Sequence, residues 1–150
     1  MKTILIVLSL ALTLFYTPFT LAEGDLSRAN VITLNFEMGS DTEGMYFRPN
    51  KLNLVTGQAY KIVLTNTDVI KHEFESFEFI EKIFTRKVEL VTEKGDFLAE
   101  IKGHITEIEV GPHTSVEWYF VPVQTGANIE VACALPGHKE AGMVGLINID

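Results

Sequence analysis

Cysteine is almost absent: Cys133 is the only one in 150 residues. A lone thiol cannot close an internal disulfide, so no covalent brace supports the fold, and no cysteine stands where a lipoprotein signal needs one. Basic residues are scarce, 12 Lys and Arg against 20 Asp and Glu, for a formal net charge of −8. That balance argues against nucleic acid or an anionic membrane surface as partner, because both repel an acidic chain. No apolar run reaches the ~20 residues that cross a bilayer. The longest, Ile4 to Phe15, is followed by Thr17-Pro18. Internal repeats, low-complexity tracts and sustained helical periodicity are also missing.

The N-terminus reads instead as an export signal. Lys2 is the only charge before Glu23, an apolar stretch follows it, and Thr20-Leu21-Ala22 supplies small residues at the cleavage positions. Cleavage after Ala22 leaves 128 of the 150 residues, enough for one domain with its own core. The removed segment carries one lysine and no acid, which takes the formal charge from −8 to −9. The expected organisation is a signal peptide over 1–22, a flexible tail over 23–30 and one domain over 31–150, exported to the periplasm without membrane insertion. In an oxidising compartment a free thiol is vulnerable. A bound metal shields it, because the ligand is the deprotonated thiolate.

From Val31 onward the chain reads as short strands punctuated by turns. Tyr60, Ile62 and Leu64 alternate with Lys61, Val63 and Thr65; Val116, Trp118 and Phe120 share a face. Turn signals fall at Glu37 to Gly44, Thr56-Gly57, Glu93 to Asp96, Gly111-Pro112 and Gln124 to Gly126. This spacing predicts an all-β, antiparallel sandwich or barrel. Phe77, Ile80 and Phe84 recur at helical spacing, which leaves room for one short helix; a bulged strand fits the stretch nearly as well.

The chemistry concentrates near the C-terminus, in Cys133-Ala-Leu-Pro136-Gly137-His138-Lys-Glu-Ala-Gly142-Met143. A thiolate, an imidazole and a thioether on one loop, with a second imidazole from His72, form the ligand set of a blue-copper site. Ile129, Val131 and Cys133 are spaced by two, so Cys133 faces inward at a strand end. Pro136-Gly137 and Gly142 supply the turns that fold the loop back. A backbone N–H near Glu73 or Phe74 is placed to bond the Cys133 sulfur. Taken singly, a buried Cys or Met is usually core and a lone His usually solvated; their coincidence on one loop points to a metal. Structural zinc prefers more cysteines and does not recruit Met. For a Cys–His nucleophile, no Asn or Asp stands out as orienter. His104 and His113 sit in turn-like settings and read as solvated.

With His72 in a His-Glu-Phe setting upstream, Cys133-x4-His138-x4-Met143 resembles the cupredoxins, the family of plastocyanin, amicyanin and azurin. Pro136-Gly137-His138-x-Glu140-Ala141-Gly142-Met143 is most similar to small periplasmic cupredoxins linked with copper tolerance. The resemblance spans roughly Val31 to Ile149 and is specific only in the ligand loop. It implies a Greek-key β-sandwich, one type 1 copper bound by His72, Cys133, His138 and Met143, and an electron port at the His138 edge within an apolar patch of Leu135, Pro136 and Ala141. It implies a redox or copper-handling partner protein docking there on a monomer, and no enzymatic activity, since His104 and His113 are too few for a multicopper cluster. Electron carriage and copper tolerance both fit. Glu73, where several electron-carrying relatives have a neutral residue, is expected to point to solvent beside Lys71.

Overall fold

The computed structural model describes residues 29–92, 94 and 97–150. The expected signal peptide over 1–22, most of the tail over 23–30 and much of the turn at 93–96 lie outside the described residues. The strands are β1 (Ile32–Asp41), β2 (Gly44–Arg48), β3 (Lys51–Leu54), β4 (Tyr60–Asn66), β5 (His72–Glu75), β6 (Ile83–Val91), β7 (Phe97–Ile101), β8 (Glu107–Val110), β9 (Ser115–Pro122), β10 (Gly126–Ala132) and β11 (Val144–Ile149). One helix, α1 (Phe77–Glu81), interrupts them. Two sheets form, ordered β2-β1-β4-β9-β6-β7 and β3-β11-β10-β5-β8. The result is the all-β sandwich expected, with the short helix on its flank. Among the described residues, no helix is long and apolar enough to cross a membrane.

The sheets are mixed rather than wholly antiparallel: β1 runs parallel to β4, and β3 parallel to β11. The chain repeatedly crosses between sheets, so neighbours are not always hairpin partners. β1 also runs further than the turn signal at Glu37 to Gly44 suggests. Met38 is fully buried, and it pairs with Asn66 on one side and Phe47 on the other, which carries the strand to Asp41. β6 has only a weak alternation, and its register against β9 shifts between Thr85 and Lys87, so it lacks a clean period-2 signal.

Helix α1 begins where Ser76 accepts the backbone N–H of Phe79 at 3.4 Å. Its buried residues are Phe79 and Ile80, whereas Phe77 is exposed and Phe84 already belongs to β6. The helical spacing of Phe77, Ile80 and Phe84 is therefore not the buried face.

The core is an aromatic stack between the sheets. Phe74 packs edge-on to Phe36 at 5.4 Å and to Trp118 at 5.8 Å between ring centroids, and Phe79 meets Phe120 at 5.3 Å. Each such pair contributes about 0.5–1.5 kcal/mol beyond its buried area. Phe74 matters for function because it sets the phase of β5. With Phe74 turned into the core, His72 two residues earlier must also face inward, and both are fully buried. A slip of one residue would turn the Glu73 carboxylate into the apolar core in their place, so register is strongly enforced here.

Candidate metal centre

Cys133 follows the end of β10, and Ile129, Val131 and Cys133 are all buried to about 1% exposure or less. The inward phase expected from the i, i+2 spacing holds. Beyond it the loop curls into a turn-rich excursion. The His138 N–H bonds Leu135 O at 3.1 Å, that of Ala141 bonds Gly137 O at 3.0 Å, and that of Gly142 bonds Lys139 O at 3.0 Å. The Met143 N–H then bonds His138 O at 3.0 Å, and the Cys133 N–H bonds Met143 O at 3.2 Å. The loop thus closes on its own ends. Gly137 and Gly142 both adopt positive φ, as the turns require. At Gly142 a side chain would also meet Met45 O at 3.0 Å, because β2 packs against the loop through the Met45 N–H bond to Ala141 O.

The other contribution comes from the connection between β4 and β5. Asn66, buried at the end of β4, donates its side-chain amide to Ile70 O at 2.7 Å and Val110 O at 2.9 Å, and accepts the Asp68 N–H at 2.8 Å. The Thr67 N–H bonds Met38 O at 2.9 Å. These bonds fix the approach to His72, the first residue of β5.

The two stretches meet. His72 Nδ1 lies 3.2 Å from His138 Nδ1, which lies 3.2 Å from Cys133 Sγ, and the three ligand atoms sit within 4.8 Å of one another. Met143 is fully buried in the same core cluster as Cys133. His138 is half-buried, so one of the two imidazoles reaches the surface while His72 does not. His104 and His113 are exposed and join no such cluster among the described residues.

Electrostatics prepare these groups unequally. Burial pushes the Cys133 thiol up, opposed by backbone N–H groups of Glu73 and Leu135. The Glu73 N–H reaches the sulfur at 3.3 Å, the bond anticipated from the His-Glu-Phe segment. Burial lowers the His72 pKa; its hydrogen bond to the Asp68 carboxylate pulls the other way. Near neutral pH the imidazole is therefore neutral, with a lone pair to offer, while the thiol must lose a proton to bind metal. The donor chemistry fits copper: sulfur suits the cuprous ion and imidazole suits the cupric.

Glu73 departs from expectation. It is only 8% exposed, and its cross-strand partner is Glu109 on β8, while Lys71 pairs with Glu109 at 2.7 Å. Burial first, then Glu107, Glu109 and Glu75, raise the Glu73 pKa. The residue after an inward ligand must face outward, but the surface here is crowded enough to cover it. Sequence reasoning also missed Asp68, whose carboxylate lies 3.3 Å from His72 Nε2. The i, i+4 spacing of Asp68 and His72 was visible, but nothing local showed that the intervening loop would bring them together.

No family model matches the chain. A curated relative, the copper-resistant cuproprotein CopI of Vibrio cholerae, is 32% identical over 89 residues, which is 59% of this chain and 49% of that protein. The chain thus spans about half the length of that relative. Among solved structures, a multicopper oxidase from Campylobacter jejuni matches with a TM-score of 0.62 at 14% identity, over 85% of this chain and 31% of its own. A copper nitrite reductase from Nitrosomonas europaea matches with a TM-score of 0.60 at 9% identity, over 79% of this chain and 49% of its own. At such identities the likeness concerns the fold alone, which is the cupredoxin-like β-sandwich.

Proposed function

We propose that this chain is an exported copper-binding protein that holds one copper ion of type 1 character through His72, Cys133, His138 and Met143, and that it serves periplasmic copper tolerance. The observation that carries the reading is the convergence of two Nδ1 atoms and one thiol sulfur within 4.8 Å at a buried end of the sandwich. The similarity to a copper-resistant cuproprotein supports the tolerance role. Copper supplies a one-electron couple at such a site. The protein supplies a fixed donor set, with the sulfur held by the Glu73 N–H and the loop closed by the bond between Cys133 and Met143. Holding the ligands in place reduces what must move when the charge on the metal changes, and two backbone donors at the sulfur tune its donor strength.

Electron transfer is the second reading. It is favoured by the half-buried His138, which links the centre to the surface beside Leu135, Pro136 and Ala141. In this reading a redox partner, or a copper-handling protein, docks over His138. In both readings the chain acts as a monomer, binds and passes on copper or an electron, and is not itself an enzyme. The acidic charge favours a basic partner and a salt-sensitive association rate.

The test is titration of purified protein with copper, followed by visible spectroscopy and voltammetry. One equivalent should produce an intense thiolate-to-copper band, absent from Cys133→Ser. A protein that stays colourless refutes the centre. Copper sensitivity of a deletion strain supports tolerance; normal growth in excess copper together with reversible cycling shifts the assignment to the carrier.

A further inference from the structure

Asp68 lies in the connection between β4 and β5, four residues before His72. Its Oδ2 sits 3.3 Å from His72 Nε2 and accepts the Ser40 hydroxyl at 2.6 Å. Its Oδ1 accepts the Val69 N–H at 2.7 Å. The His72 side chain is wholly enclosed, and that of Asp68 is 12% exposed. A neutral imidazole has one N–H and one lone pair. If Nε2 carries the proton, it donates to the carboxylate and the lone pair falls on Nδ1, the atom that faces His138 and Cys133. The opposite tautomer would set a lone pair against a carboxylate in a site largely closed to water. His138 is different: among the described residues, nothing bonds its Nε2.

We propose that Asp68, oriented by Ser40, is a positioning residue for the metal centre, fixing His72 as an Nδ1 donor and biasing the site toward the cupric over the cuprous ion by its negative charge. The inference rests on the copper-binding reading above. Two physical effects support it. A carboxylate behind a ligating imidazole fixes the ring and raises its basicity. A fixed negative charge near a poorly solvated centre also stabilises a doubly charged ion more than a singly charged one. Ser40 belongs to β1, the parallel neighbour of β4, so the orientation of Asp68 is set by the strand beside the one it follows, a partner 28 residues away in the chain.

The decisive comparison is Asp68→Asn, which keeps size and an acceptor for Val69 while removing the charge. Cupric and cuprous affinities are measured separately by chelator competition on purified wild-type and variant protein, with the reduction potential by voltammetry. The cupric affinity should fall about 10–100-fold and the cuprous affinity by a clearly smaller factor. The potential should rise by about 59 mV for each tenfold difference between the two losses. Ser40→Ala should move the potential in the same direction, but less. Equal losses in both oxidation states would mean that Asp68 merely holds the loop, and would overturn the proposal, as would no change in either. If Asp68→Asn fails to fold, by loss of the Trp118 fluorescence signature, Ser40→Ala decides: an unmoved potential overturns the proposal. Failure of the wild type itself to take up copper would refute the underlying reading, and is seen before any variant is compared.

Discussion

The loop from Cys133 to Met143 bonds mainly to itself, whereas the segment from Asn66 to Glu73 is held by distant parts of the chain. In the first, four turns of backbone bonding return the chain to its start, helped by Gly137 and Gly142 at positive φ. In the second, Met38, Ser40 and Val110 supply the partners, 28 to 44 residues away for the hydrogen bonds of Ser40 and Asn66. One half of the centre is thus a self-contained motif. The other half exists only when the sandwich has closed, which makes His72 the ligand most exposed to damage elsewhere in the fold.

The sharpest way to break this asymmetry is Asn66→Ala. It removes the amide partner of the buried Val110 carbonyl and of the partly buried Ile70 carbonyl and Asp68 N–H, and should cost about 1–3 kcal/mol in denaturant unfolding of the metal-free protein. Copper affinity should fall with it, because the anchor of His72 is lost, while the bonds internal to the Cys133–Met143 loop remain. Unchanged copper affinity would show that the upstream segment does not depend on its distant partners.

Proton release separates the halves next. His72, its pKa lowered by burial, has already lost its proton near neutrality; Cys133, raised by burial, has not. Copper uptake should therefore displace the thiol proton, and apparent affinity should climb about tenfold per pH unit from pH 7 to 8. A slope near zero would mean that the thiol is already ionised and the downstream half preformed electrostatically.

The smallest effect concerns the outer face of β5. Glu73 is easier to protonate in the native state than in the unfolded chain, because of burial and then its acidic neighbours. Ionising it costs native stability, a penalty absent at low pH that develops as pH rises from the ordinary glutamate value through the raised one. Glu73→Gln should therefore stabilise the metal-free fold at pH 7 by about 0.2–1 kcal/mol. The gain should vanish below about pH 4. Thermal or denaturant unfolding at both pH values checks it.

The same asymmetry decides what could be read from the sequence. Cys133, His138 and Met143 announced themselves because their spacing is local and the strand phase of Ile129 and Val131 turns the thiol inward. His72 could be nominated as the missing imidazole and was found at the cluster, but Asp68 and Ser40 could not, since Ser40 reaches Asp68 only through the long-range pairing of β1 with β4, and Asp68 reaches His72 only through the fold of the connecting loop. Strong alternation made β4 and β9 legible. The parallel pairings and the extension of β1 to Asp41 depend on long-range partners. β6 was obscured by a register shift that spoils its period. The covering of Glu73 accompanies the pairing of β5 with β8, which sets Glu109 opposite it and which no single segment encodes.

Strand β8 forms one border of its sheet, with Ile108 and Val110 turned inward and Glu107 and Glu109 turned outward opposite Glu75 and Glu73. Among the described residues no strand pairs with its outer side, and a border of this kind is an invitation for another polypeptide to zip on through its main-chain groups. Four clustered carboxylates beside that border, one of them paired with Lys71, leave it net negative and repel an identical molecule approaching with the same edge, so the sheet is discouraged from growing into a ribbon of stacked copies even where the protein accumulates.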